Sequence, residues 1–298
     1  MQTSFSGHET FPFRYGWLKK GVDAVSANPR FFSSDRAMID LGVGKNMVKS
    51  IKYWCSATGL VESKKVADGR TEYEPTTLSD ILLPDSGYDP FFEDPGSLWL
   101  LQWSIATNTD FCATWFFLFN HWHGTEFTKE SLFQGLKTWL MKQGVTELSD
   151  QALKRDIDCC VRTYVTSRLT KTSVSDESFD CPLTELNLIS EMADGRTYQF
   201  RRGEQRSLPD EILMFSIADF WERTGESARS LSLERLAYDP GSPGQAFKMD
   251  PESLVRRFEF ISNSSQPAFT YEEFGGMKQV FKVEDHPAIH WIHKYFSN

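Results

Sequence analysis

Between Ser34 and Leu83 the chain carries a pattern that few folds accommodate. Ala37, Leu41, Val43, Val48 and Ile51 fall at the positions that a helix-turn-helix buries. Gly42 stands in the turn, where a Cβ would crowd the bend or oppose a positive φ. Behind them, residues 60–73 read as two short β-prone runs joined by Asp68 and Gly69, a strong hairpin signal. Helix, tight turn, helix and basic hairpin together predict a winged helix. Its exposed face is expected to carry Lys45, Asn46, Lys49, Ser50 and Lys52, with Lys64, Lys65 and Arg70 on the wing. Double-stranded DNA is the partner that such a face suggests, the helix in the major groove and the wing on phosphates.

Charge supports a local contact and argues against a coat. The 298 residues carry a net charge of −9, too acidic for indiscriminate binding to nucleic acid. Residues 1–70 hold 11 Lys/Arg against 6 Asp/Glu, a balance of +5 that leaves −14 for the rest. A basic head on an acidic body suits DNA contact at one end and protein contact elsewhere. Five cysteines without CxxC spacing favour neither structural disulfides nor a zinc ribbon. The apolar run around 115–119 is far shorter than the ~20 residues of a membrane span, and the first residues lack the form of a signal peptide. A cytoplasmic protein is expected.

The length suggests two or three domains at roughly 150 residues each. Within residues 5–27 an irregular aromatic segment leads into a helix that starts near Tyr15, with Trp17, Leu18, Val22 and Val25 on its apolar face. A Pro/Gly/Asp-rich connector over 84–96 marks the first boundary. Apolar helices follow over 97–107 and 110–122, with Asp94 or Ser97 and then Asp110 as N-terminal caps, and amphipathic helices over 128–141 and 149–165. Residues 192–198 then repeat residues 66–72 almost identically, so a second helix-pair-plus-hairpin unit is expected over about 128–206. Helices at 210–224, 230–238 and 251–261 precede a last hairpin around Gly275 and Gly276. The reading is a mainly α fold with small antiparallel β-hairpins (α+β) in tandem winged-helix-like units. Its domains are 1–90, 91–208 and 209–298.

Motifs of common chemistries are missing: no P-loop, GxGxxG, HExxH or GxSxG occurs, and no nuclease-type carboxylate pattern stands out. His286, His290 and His293 stand at i, i+4 and i+7, which on one helix would align three imidazoles as candidate metal ligands, with Asp285 to orient or join them. His121 and His123 flank Trp122 in a second small cluster. The adjacent Cys159 and Cys160 fall in an apolar stripe, where packing outranks catalysis.

Residues 5–21, the turn region 41–48, the loop 238–244 and the closing hairpin resemble a bacterial family once known only as a domain of unknown function. Its members are encoded beside DNA phosphorothioation genes. There a cysteine desulfurase, an ATPase and an ATP-pyrophosphatase-type protein replace a backbone oxygen with sulfur. The resemblance implies these proteins as partners and a role in nicking one DNA strand, with Mg²⁺ or Mn²⁺ as cofactor. It supplies no catalytic signature that transfers residue by residue. Within the first motif, His8, Glu9 and Arg14 are the candidates, as polar residues in an aromatic segment. Glu9 would hold a metal or activate water, His8 act as acid/base, and Arg14 steady the charge of a phosphorane. Lys19, Lys20, Arg201 and Arg202 extend the basic set expected at DNA. The competing readings are a non-catalytic DNA-binding adaptor or transcriptional regulator, and winged helices that contact only protein.

Overall fold

Trp17, Leu18, Val22 and Val25 form the buried face of the first helix, α1 (Trp17–Ala27), as their helical spacing dictates. The computed structural model describes residues 5–67, 69–145, 147, 149–166, 181–225, 228–263 and 267–297. After α1 come α2 (Ala37–Leu41) and α3 (Lys45–Ala57), then a hairpin of β1 (Val61–Lys65) and β2 (Thr71–Pro75). Gly42 ends α2 at φ 67°, and the Val43 N–H returns to the Met38 carbonyl at 3.1 Å, which closes the turn between the two helices. Asp68 of the hairpin turn lies outside the described residues, while Gly69 holds φ 78°. Helix α4 (Thr77–Leu82), capped by the Thr76 hydroxyl, ends this first unit.

Two nearly all-apolar helices occupy the centre, α5 (Pro95–Thr107) and α6 (Ala113–Asn120). The Asp94 side chain caps α5 through the Gly96 N–H, as expected. Asp110 does not cap α6. That helix begins at Ala113, and the Asn108 carboxamide oxygen instead accepts the N–H groups of Asp110 and Phe111.

The second unit continues with β3 (Glu126–Thr128), α7 (Lys129–Lys142), α8 (Asp150–Tyr164), β4 (Ile189–Glu191) and β5 (Thr197–Phe200). The third runs α9 (Asp210–Thr224), β6 (Ser230–Ser232), α10 (Leu233–Tyr238), α11 (Pro243–Ala246), α12 (Pro251–Ser262), β7 (Phe269–Phe274), β8 (Met277–Lys282) and α13 (Ile289–Phe296).

Two of the sheets share one strand order. The second unit pairs its strands β3-β5-β4 and the third pairs them β6-β8-β7, all antiparallel. In each, a short strand before the helices adds to the outer strand of the hairpin after them. The first unit keeps the helices and the hairpin, and at the corresponding edge the Tyr73 N–H reaches back to the Pro29 carbonyl at 2.8 Å. The fold is therefore α+β, helix-rich with two- and three-stranded antiparallel sheets. The helix expected over 230–238 is shortened: its first three residues are strand β6, and the Ser232 hydroxyl caps α10 through the Arg235 N–H.

One continuous apolar core runs through all three units. The last helix closes back on the first connector. Tyr295 donates to Asp94 at 2.8 Å, the Tyr88 and Phe296 rings stack at 5.0 Å, and a Cβ on Gly96 would lie 2.4 Å from the Tyr295 ring. Among the described residues no helix is long and apolar enough to cross a membrane.

Candidate nucleic-acid interface

Helix α3 has two faces with opposite chemistry. Val48, Ile51, Trp54 and Cys55 point into the core, whereas Lys45, Asn46 and Lys49 are exposed and Lys52 is half-buried. A cleft of about 390 Å³ opens beside this outer face, lined by Glu9, Lys49 and Lys52 and by Ser63 and Tyr73 of the hairpin. The Lys52 ammonium sits 5.9 Å from the centre of the Tyr73 ring, and Lys49 pairs with Glu9 at 2.8 Å. On β1, side chains alternate, so Lys65 shares the face of the cleft-lining Ser63 while Lys64 takes the other. Lys64, Lys65 and Arg70 are all exposed. The expected basic helix and basic hairpin are thus adjacent. Ser50 departs from the expectation: it is fully buried, its hydroxyl toward the Phe11 carbonyl at 3.4 Å, because it lies on the inner side of the helix.

The inner side of α3 holds the aromatic segment that precedes the helix-turn-helix. The Trp54 indole N–H donates to the Phe11 carbonyl at 2.8 Å, and Phe13 packs on the Trp54 ring. His8 is enclosed by the rings of Tyr53, Trp54 and Trp115 and has no exposed surface. Its Nδ1 accepts the Thr10 N–H at 3.1 Å, which leaves Nε2 as the protonated nitrogen, donating to Asp156 Oδ1 at 2.9 Å. Asp156, 1 % exposed, also accepts the Ser6 N–H at 2.6 Å and the Thr114 hydroxyl at 3.0 Å. Ser6, Glu9 and Thr10 adopt positive φ (59°, 48° and 71°), and a Cβ on Gly7 would lie 2.6 Å from the Tyr53 ring. This tight turn inserts His8 between α3, α6 and α8, so the histidine ties the first unit to the second.

The three candidates in that segment therefore part company. His8 is sealed from solvent and from any phosphodiester in this conformation. Glu9 reaches the cleft, its side chain 29 % exposed and paired with Lys49. Arg14 lies over the Trp17 ring at 5.3 Å. Asp156 and Thr114 escaped the sequence reading. The available signal was Asp156 itself, a carboxylate between Leu153 and Cys160 on the apolar stripe of α8.

Among the remaining basic candidates, Lys20, Arg201 and Arg202 are exposed. Lys19 is already paired, with Asp23 at 2.7 Å and Asp85 at 3.1 Å. Partial burial opposes its charge, but those two carboxylates prevail and hold its pKa above the ordinary lysine value.

The histidine triad does not assemble. Helix α13 begins only at Ile289, so His286 lies outside it and the i, i+4, i+7 alignment fails. The His286 ring stacks flat on His290 at 4.1 Å and bonds to Glu284 at 2.7 Å, while His293 faces the Tyr88 hydroxyl at 3.3 Å. Burial, then the neighbouring His286, lowers the His290 pKa. Asp285 pairs with Lys282 at 3.2 Å. His121 is pressed against Phe116, Phe117 and Trp139. The five cysteines are buried and form no disulfide among the described residues, and burial pushes the Cys55 thiol up to about 12 and those of Cys159 and Cys160 well above the usual range. None is a poised nucleophile.

Solved structures resemble this chain over its whole length. One, described as "SspB crystal structure", shares 29% identity at a TM-score of 0.91, covering 100% of this chain and 89% of the other. The second, "Magnesium ion-bound SspB crystal structure", shares 30% identity at a TM-score of 0.90 with the same coverage. No curated protein matches the chain. The magnesium belongs to that related protein. Among the described residues of this chain, no three His, Cys, Asp or Glu side chains converge where an ion would sit. Residues 5–296 match the family described as "Protein of unknown function (DUF4007)", and the chain belongs to that family.

Proposed function

We propose that this protein is the DNA-binding component of a DNA phosphorothioation system and that it nicks one strand so that sulfur can be installed. Similarity to SspB over the full length supports the assignment to such a system. The observation that carries DNA binding is the juxtaposition of the exposed Lys45, Asn46 and Lys49 on α3 with the exposed Lys64 and Lys65 on the adjoining hairpin. Helix α3 would enter the major groove and the hairpin would lie along the backbone. The desulfurase, ATPase and ATP-pyrophosphatase-type proteins of the system would dock on the acidic remainder of the chain. Its domains would be the three units at 1–90, 91–208 and 209–298.

The nick is the finer step of this reading. Glu9, at the edge of the cleft, is the candidate group in reach of a bound strand, with Mg²⁺ or Mn²⁺ supplied alongside the phosphates, as Mg²⁺ commonly is. The sealed position of His8 favours a second reading, a non-catalytic adaptor that positions DNA for its partners.

Supercoiled plasmid separates the two. Open circles that form with Mg²⁺ or Mn²⁺, vanish with EDTA and are lost in Glu9→Gln support the nickase. Salt-dependent binding with no nicking in either metal removes the enzyme and leaves the adaptor. Absence of binding at low salt removes both.

A further inference from the structure

The third unit carries a second basic site, on the helix that corresponds to α3. Both α3 and α12 are the last helix before their hairpin. In the second unit that position belongs to α8, whose Asp156 receives Ser6 and His8 of the amino-terminal turn. Helix α12 keeps an open side. Beside it lies a pocket of about 450 Å³ lined by Glu204, Arg206, Asp210, Arg256, Arg257 and Phe260.

Three guanidinium groups meet there against two carboxylates. Arg257 is committed to the fold: it pairs with Asp210 and donates to the carbonyls of Leu208 and Gln205, which pins the 201–208 loop onto α12. It forms a rigid wall and consumes the Asp210 charge. Arg256 is exposed and anchored by one nitrogen on the Ser253 hydroxyl at 2.9 Å, itself part of the Asp250 cap of the helix. Arg206 is exposed and enters no ion pair among the described residues. The pocket thus presents two cations with donors to spare, backed by a third.

Phe260 completes it. This ring is 71 % exposed and follows Arg256 by four residues, one turn along the same face of α12. A large aromatic side chain held in water at the rim of a guanidinium pocket matches a ligand that combines a phosphate with a flat π-face. We infer that the pocket takes one unpaired nucleotide of a DNA strand, its phosphate on Arg206 and Arg256 and its base stacked on Phe260. This rests on the reading of the protein as a DNA binder and adds to it a site for a strand that has left the duplex, as a nicked or locally opened strand does.

Fluorescence anisotropy with two labelled duplexes tests it, one fully paired and one with a five-nucleotide gap. The wild-type protein should bind the gapped duplex more tightly. Phe260→Ala should weaken gapped binding by about tenfold and leave paired binding unchanged. The double variant Arg206→Ala/Arg256→Ala should flatten the salt dependence of gapped binding by about 0.7 in log–log slope, the value for one phosphate contact on a single strand. Both variants alter exposed side chains outside the core, and an unchanged unfolding midpoint verifies that. Equal wild-type binding to the two duplexes, or equal loss on both in Phe260→Ala, overturns the proposal. A dAMP titration that saturates tighter than the gapped duplex overturns the strand assignment and leaves a free-nucleotide site. A protein that ignores the paired duplex yet binds the gapped one through Phe260 fails the helix-α3 reading and keeps this one.

Discussion

The two sides of α3 lie one helix diameter apart and put polar residues to opposite uses. Inward, a histidine, a carboxylate and a threonine hydroxyl are buried and fully matched, each donor with one acceptor. Outward, lysines of the same helix stand in water, and the ion pair of Lys49 with Glu9 is half-exposed. Buried polar groups of the first kind are costly to leave unmatched, whereas exposed pairs of the second kind contribute about 0–1 kcal/mol. The first face should therefore fail in folding when altered and the second only in binding. His8, the candidate acid/base of the first motif, lies on the folding side.

The largest effect is expected at Asp156. Asp156→Ala removes the acceptor for His8 Nε2–H, the Ser6 N–H and the Thr114 hydroxyl at once. Unfolding in urea should show a loss of about 3–5 kcal/mol, as for other buried pairs deprived of one partner. A loss below about 1 kcal/mol would break the contrast, because it would mean that the node is not structural. On the outer face, Lys45→Ala/Lys49→Ala/Lys52→Ala should leave the unfolding midpoint in place. Its effect should appear in duplex binding, with the slope of log K against log salt flattened by about 2.7, at 0.9 per phosphate contact. An unaltered slope would move the DNA face elsewhere.

Much of this architecture is legible in the sequence because it rests on periodicity and turn chemistry. The apolar spacing of residues 17–25 and 45–57, the glycine at 42 and the Gly275-Gly276 turn, at φ 59° and 80°, each leave a local mark. Strands β3 and β6 leave none, since three residues are too few to alternate and their pairing partners are distant, 71 positions for Phe127 with Tyr198 and 47 for Ser232 with Gln279. The site was harder to read. Whether His8 faces solvent depends on Asp156, 148 positions later, and the spacing within the first motif carries no trace of that partner. His286, His290 and His293 mislead for a related reason: their spacing has meaning only on one helix, and Pro287 precedes a helix that starts at Ile289. The exposed lysines were found because a basic helix beside a basic hairpin is a local pattern, with Ser50 the exception that a single turn of helix phase decides.

A second buried polar group extends the comparison to the seam between the second and third units. Lys248, 1 % exposed and at φ 54°, directs its ammonium nitrogen at the Phe119 carbonyl and over the Phe200 ring at 4.4 Å. Among the described residues no carboxylate pairs with it, in contrast with His8. Burial, then the nearby Arg202, lowers its pKa well below the lysine value of 10.5. Between that lowered pKa and 10.5 the unfolded chain binds a proton that the native chain does not, so stability rises with pH across this window. The stability difference between wild type and Lys248→Met should therefore move in favour of wild type as pH rises toward 10, with a limiting slope of about 1.4 kcal/mol per pH unit. A difference independent of pH would show that Lys248 keeps its proton in the fold.

The smallest effect belongs to the repeated hairpin, where the same physics acts in full solvent. Asp194 accepts the Thr197 hydroxyl at 2.6 Å and the N–H groups of Thr197 and Arg196 at 2.8 and 2.9 Å. Those bonds, the hydroxyl first, hold its carboxyl at about 2. Since the folded pKa lies below the unfolded one, the contribution is complete above the ordinary carboxylate range and is lost as pH falls through about 2. Water replaces each of these bonds when the side chain is removed, which it cannot do at Asp156. Asp194→Ala should thus leave the global midpoint unchanged while the amide protons of Arg196 and Thr197 exchange faster at neutral pH. A midpoint shift comparable to that of Asp156→Ala would erase the distinction between buried and exposed polar clusters on which the reading of α3 depends.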